Sequence, residues 1–307
     1  MKNHWRKLGR IYAPNAALRH PNLTSHASNP LPVHIEGEIY RIFYSGRDKY
    51  NRSSVGAVDI NLSERTVVRE HYEPFFKHGA PGSYYSDGIS IGDVYEVRDK
   101  RYMLFMGWQN STDRHWRGDI GRLLLTDDLT LELVDRFPLI SSDHVDPISL
   151  SYPWVETLCD GGYEMWYGST LAWDAGNGEM LHVINHATSA DGESWIKTGL
   201  AVPYKIGVAQ AFSKPTLLRG PNDEYEMWFS YRSGSGEKYR IGYAKSVDRV
   251  KWSLDLPYSG INVSNAGWDS EMIEYPYVFK HQDQIYMLYN GNDYGLTGFG
   301  LALLESE

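Results

Sequence analysis

Cysteine is almost absent from this chain: Cys159 is the only one, so no internal disulfide can form. No window approaches the 18 or so apolar residues of a membrane-spanning helix, and MKNHWRKLGR at the N-terminus leads into no apolar signal segment. These absences predict a soluble cytoplasmic protein, in which the N-x-S/T triplets at Asn22, Asn51, Asn61 and Asn262 are chance matches rather than glycan acceptors. Basic excess is also missing, with 30 Lys and Arg against 39 Asp and Glu, a formal net charge of −9. Such a balance argues against nucleic acid or an anionic membrane as partner. The chain contains no HExxH, no P-loop, no G-x-S-x-G, no strand–GxGxxG–helix unit and no Cys/His cluster. Nothing in it demands a metal or a redox cofactor.

What is abundant is aromatic side chain, 14% of residues, including 23 Tyr and 10 Trp. Aromatic residues suit half-buried pleated surfaces, and their faces also stack on sugar C–H faces. Composition alone leaves both uses open. Order is clearer. A tyrosine opening an apolar run recurs as YRIFYSG at Tyr40, YMLFMGW at Tyr102, YEMWYGS at Tyr163, YEMWFSY at Tyr225 and YMLYNG at Tyr286, in steps of 62, 61, 62 and 61 residues. Ten residues before the tyrosine stands Pro30, Pro153, Pro215 or Pro276, with Gly92 at that place in the second copy. A third run follows each tyrosine run (SSVGAVDI, DIGRLLLT, HVINHATS, YRIGYAKS, FGLALLE) and a fourth follows in the first four copies.

A repeat of this period made of four short runs joined by polar, Gly-containing loops predicts a four-stranded antiparallel sheet per copy. The fifth copy lacks its fourth run, and WRKLG at Trp5–Gly9 matches WIKTG at Trp195–Gly199, a fourth run of another copy. The expected fold is therefore all-β, a five-bladed β-propeller in one domain spanning residues 1–307, with the N-terminal strand completing the last blade.

In such a ring the first strand of each blade lines the central channel. Counting back from the proline or its equivalent, Glu271 and Asp87 lie at −5, Glu274 at −2, and Asp146 and Asp269 at −7. Asp87 and Glu271 fall in non-adjacent blades and are expected to face each other across the channel, with Asp146 nearby. Two carboxylates flanking a cavity are what glycosidic cleavage needs, one to protonate the leaving oxygen and one to activate water or attack carbon. Crowding by Asp269 and Glu274, and the apolar surround of Met272, Tyr275 and Tyr277, would raise the Glu271 pKa and fit it as the acid. Expected substrate contacts are His26, Arg47 and Asp48 of the SGRD element, Trp108, Lys214, Arg232, Asp269 and Glu274. Acids in these positions also serve as loop caps or ion-pair partners, and the basic residues as their counter-ions. Specificity is expected from rim loops 108–118 and 170–181.

The stretches SHASNPLP, YSGRDKYNRS, YEMWFSYR, YRIGYAKS and GWDSEMIEYPYVFKH, with the closing YMLYNGNDYGLTGFGLALLE, span nearly the whole chain. They resemble the five-bladed propeller glycosidases, the superfamily of glycoside hydrolase families 43, 32, 68 and 130, and within it a glycosidase-like branch that accompanies bacterial surface-polysaccharide genes. The resemblance implies a carbohydrate substrate and acids opening blades two and three, which Asp87 and Asp146 match. It also implies an Asp on the first strand of blade one, where this chain has His26, Ser28 and Asn29 instead. That departure leaves two other readings open. One is a non-catalytic carbohydrate-binding propeller. The other is phosphorolysis or transglycosylation, with Lys214, Arg232 and His26 holding phosphate.

Overall fold

A computed structural model describes residues 3–305 except 16, 18, 111–114, 221–223 and 235. It is built almost entirely of antiparallel strands. After β1 (His4–Tyr12) come β2 (Ser25–Glu36), β3 (Ile39–Arg47), β4 (Ser53–Asn61) and β5 (Thr66–Glu70), each paired with the next. The pattern repeats in β6 (Gly88–Val97), β7 (Lys100–Asn110), β8 (Trp116–Leu125) and β9 (Leu131–Leu133). It repeats again in β10 (Ser149–Thr157), β11 (Tyr163–Ala172), β12 (Leu181–Ser189) and β13 (Ile196–Leu200), and in β14 (Ser213–Arg219), β15 (Tyr225–Tyr231), β16 (Arg240–Ser246) and β17 (Ser253–Leu254). Last come β18 (Glu274–His281), β19 (Gln284–Asn290) and β20 (Phe299–Glu305), with β1 pairing on β20 as the fourth strand of that sheet. Two of the units, β2–β5 and β6–β9, are joined into one sheet by a single parallel pair, Ser53 with Gly88.

Burial explains the sequence pattern strand by strand. The tyrosine runs are apolar on both faces because both faces are covered: in β11 every residue from Tyr163 to Thr170 is buried. The fourth strands are the exposed ones: β13 alternates between exposed and half-buried residues and β5 is exposed at all but Val67, as outermost strands are. Among the described residues no helix is long and apolar enough to cross a membrane.

The first strand of each unit is broken at the proline. Asn29, Tyr152, Lys214 and Tyr275, each directly before it, have left-handed backbone with φ of 54°, 36°, 53° and 51°. Strand register shifts across the same points, between Ser28 and Leu31, Ser151 and Trp154, Ser213 and Thr216, and Glu274 and Tyr277. A proline, having no N–H, fits a bulge where the ladder loses a hydrogen bond. β6 is also out of register, between Ile91 and Val94, but carries Gly92. A Cβ there would lie 2.6 Å from the Pro153 carbonyl oxygen, so a side chain is excluded by the next unit's own bulge. The bulges set a common position two residues before the proline, held by Ser28, Ser90, Ser151, Ser213 and Glu274.

β1 is anchored by Trp5, which is 3% exposed and packs edge-on against Trp228 of β15 with ring centroids 5.5 Å apart. Trp5→Ala leaves a cavity between two units and is expected to cost about 3–5 kcal/mol. A drop of that size in the urea-unfolding free energy checks it; an unchanged midpoint would show that β1 adds nothing to the last sheet.

Candidate active site

A cavity of about 490 Å³ opens where the first strands begin and the second strands end. Every unit contributes to its lining, from Arg47 in the first to Tyr275 and Tyr294 in the last. Three of the serines set by the bulges, Ser90, Ser151 and Ser213, form part of it. Ser151 Oγ lies 2.7 Å from His182 Nε2, and Thr170 Oγ1 lies 2.7 Å from His182 Nδ1. Burial pulls the His182 imidazole down to about 3, so it is neutral at physiological pH.

Glu274 takes the position of those serines on β18. It is fully buried, and neither carboxyl oxygen has a hydrogen-bond partner within the protein. Burial pushes its pKa well above the ordinary range, against the pull of Arg47 and Arg232, two arginines that line the cavity. The acid in the cavity wall itself is Glu179, ahead of β12, whose Oε1 accepts from Arg232 Nη2 at 2.7 Å and from the Met180 amide at 2.9 Å. The Arg232 guanidinium stacks 4.6 Å above the Tyr239 ring. Arg47 Nη1 donates to Asn51 Oδ1 at 2.7 Å. Aromatic surface completes the wall: Trp173 stacks on His115 at 4.5 Å and meets the Trp116 ring edge at 5.1 Å.

Of the residues expected from sequence, Arg47, Trp108 and Arg232 line this cavity, and Glu274 adjoins its arginines. The others lie elsewhere. Glu271 precedes β18, is 55% exposed, and pairs with Lys238 on the rim, while its amide and that of Met272 are held by Asn292. It is therefore outside the apolar surround expected of it. Asp269 contributes no crowding, because Lys7 Nζ neutralises it at 2.6 Å and Tyr289 donates to it at 3.1 Å. Asp146 has no exposed surface and is saturated by Tyr167, Asn185 and Lys197, the last at 2.7 Å. It braces the third unit and offers no oxygen to a substrate.

Asp87 is half-buried and caps the Asn110 amide at 2.8 Å, behind the cavity lining rather than in it. Asp48 holds the turn after β3 by accepting from the Tyr50 and Arg52 amides and from Arg52 Nε. His26 bonds Ser25 beneath the rim, and burial followed by the Arg47 charge lowers it to about 4. Lys214 is fully buried: its Nζ donates to the Gly92 carbonyl at 2.6 Å beside Asp93 and lies 5.1 Å above the Tyr277 ring. Desolvation depresses its pKa and raises that of Asp93. It ties β14 to β6, with its ammonium committed to the Gly92 carbonyl. Within rim loop 108–118, residues 111–114 lie outside the described residues. Loop 170–181 supplies Trp173, Gly178, Glu179 and Met180 to the cavity. Sequence reasoning missed Glu179, Ser90 and Ser151, although a serine stands two places before the proline or its equivalent in every copy but the last.

No family model matches the chain. Two Mycobacterium tuberculosis proteins, "Uncharacterized protein Rv1502" of strain H37Rv and "Uncharacterized protein MT1551" of strain CDC 1551, are each 43% identical over 305 residues, covering 98% of this chain and 99% of the relative. Among solved structures, a putative glycosidase from Bacteroides thetaiotaomicron superposes with a TM-score of 0.72 at 14% identity over 97% of this chain and 96% of that one. A glycosyl hydrolase from Bacteroides ovatus gives 0.70 at 11% identity over 99% and 94%. An endo-arabinase from Bacteroides thetaiotaomicron gives 0.63 at 11% identity over 94% and 97%. The fold is that of propeller glycoside hydrolases.

Burial raises the Glu274 carboxyl well above its ordinary value of 4.5 in the native protein, whereas the unfolded chain ionises it near that value. It therefore contributes stability that is complete below the unfolded-state value and is lost as pH rises toward the native-state one. Glu274→Gln removes this dependence. The unfolding free energy of the variant relative to wild type should rise with pH above that value, by up to about 1.4 kcal/mol per pH unit. Urea unfolding of both proteins from acid to neutral pH measures the difference; parallel curves throughout would mean that the native carboxyl is charged.

Proposed function

The chain belongs to the family of the mycobacterial proteins Rv1502 and MT1551, and we propose that it is a five-bladed β-propeller glycoside hydrolase, one domain across residues 1–307, that cleaves a glycosidic bond in the cavity. The observation that carries this reading is Glu274, a carboxyl raised by burial with both oxygens unpartnered, at the position that serines lining the cavity occupy on three other first strands. A buried polar group without a partner is costly, and the leaving oxygen of a bound glycoside supplies the missing one. Glu274 gives its proton to that oxygen as the bond to the anomeric carbon breaks. The Glu179 carboxylate, held by Arg232, takes a proton from the water that forms the new bond. Stacked Trp173 and His115 offer a face to the sugar ring. This pair replaces Asp87 and Glu271, since Glu271 is spent on Lys238 at the rim.

A second reading, carbohydrate binding without turnover, draws on one observation: Glu179 is tied to both Arg232 and the Met180 amide. A panel of 4-nitrophenyl and alkyl glycosides separates the two, because binding without release of the aglycone supports only the second. In the hydrolase, Glu274→Gln should slow alkyl glycosides by about 10²–10⁴-fold, the usual worth of general acid catalysis, and nitrophenyl glycosides much less, since their leaving group needs little protonation. Glu179→Gln should slow both kinds alike. Equal, mild losses from Glu274→Gln on both kinds would remove it from the chemistry.

A further inference from the structure

The cations of the cavity are out of balance with its acids. Several buried or half-buried arginines elsewhere meet a carboxylate, Arg19 with Glu70, Arg41 with Asp59, Arg122 with Glu193 and Arg249 with Glu164, while half-buried Arg240 donates to the Lys238, Tyr239 and Glu271 carbonyls. Arg232 has its acid in Glu179, yet its Nε is buried without a partner. Among the described residues Arg47 forms no ion pair, and its side-chain bond goes to the neutral amide of Asn51. The remaining groups do not compensate. Glu274, raised well above its ordinary range by burial, bonds to neither arginine, and His182 is held at about 3. The cavity therefore carries the positive charge of Arg47, facing aromatic surface on which a sugar ring can stack.

We propose that the cavity takes a glycoside whose sugar ring bears an anionic group, a carboxylate as in a uronic acid or a phosphate ester, and that Arg47 binds that group. The proposal rests on the cavity's being a carbohydrate site and adds the substrate class. A planar guanidinium suits both oxyanions, since each presents two oxygens to its forked donors. The buried, unpartnered Arg232 Nε gives a second donor at the same cavity. A cavity of about 490 Å³ has room for one or two sugar rings, so the charged ring is the terminal one or its neighbour.

Matched pairs test this: 4-nitrophenyl glucuronide with glucoside, galacturonide with galactoside, and glucose 6-phosphate with glucose. Binding is read by calorimetry and nitrophenolate release by absorbance. The anionic member of at least one pair should bind about 10-fold or more tightly than its neutral partner. That preference should shrink on going from low to high salt. Arg47→Gln should reduce the anionic-to-neutral ratio by about 10–100-fold, mainly through KM, while Arg47→Lys keeps part of it. The salt dependence is read on wild-type protein and stands if Arg47→Gln fails to fold.

Equal handling of both members, or a preference that survives Arg47→Gln, overturns the proposal and leaves the hydrolase reading intact. Anion-selective binding without cleavage keeps the proposal and rejects the hydrolase reading. Turnover of neutral glycosides only with added inorganic phosphate would mean that Arg47 holds a nucleophile, which overturns the proposal. Binding of no saccharide overturns both.

Discussion

Four first strands turn at a non-glycine residue in left-handed backbone, and the placement of the cavity depends on that repeated strain. Left-handed conformation at a residue with a side chain costs about 1–2 kcal/mol, and Asn29, Tyr152, Lys214 and Tyr275 each bear it. The cost is offset by what the bulge permits. It turns the first strand where these strands converge, and it gives Ser28, Ser90, Ser151, Ser213 and Glu274 a common position ahead of the break. Local strain at a functional site is tolerated when the surrounding packing over-determines it. Here the surroundings are sheets whose second and third strands are almost wholly buried.

The same strands are tied across the interior by polar groups. Asp93 on β6 accepts from Tyr277 of β18 at 2.7 Å and from the Val155 amide of β10 at 3.1 Å, while Lys214 of β14 reaches back to Gly92. Four of the units thus share one buried network. Its members are bonded and its charges sit side by side, whereas both oxygens of Glu274, nearer the cavity, lack a hydrogen bond. That contrast sets Asp93, bonded on several sides, apart from the unpartnered Glu274.

The repeat was legible in the sequence because the spacing of the tyrosine runs and the match of WRKLG to WIKTG report strand order, which backbone geometry then obeys. The site was legible only in part. Arg47, Trp108 and Arg232, placed from the rim and second-strand ends of the repeat, line the cavity. Glu271 was misread because counting along a strand assumes that the strand extends that far, and β18 begins only at Glu274. Asp146, just ahead of β10, and Lys214, on β14, show another limit: a charge looks the same in sequence whether it faces a ligand or a buried counter-ion. Glu179 arrives from the loop between β11 and β12, outside the strand runs from which the repeat was read.

Strand β1 pairs with β20, so that Trp5 stands opposite Leu304. The last sheet therefore joins an early-made part of the chain to a late-made one. A growing chain can assemble the intervening sheets in turn, but this one must wait for synthesis to reach β20. Contacts between such distant residues are slow to form, because the loop between them must first close. Until then β1 has no partner strand, and Trp5 lacks the support that holds it against Trp228. The pairing of β1 with β20 is thus the strand contact of longest sequence separation among the described residues, and it is the one that completes the last sheet.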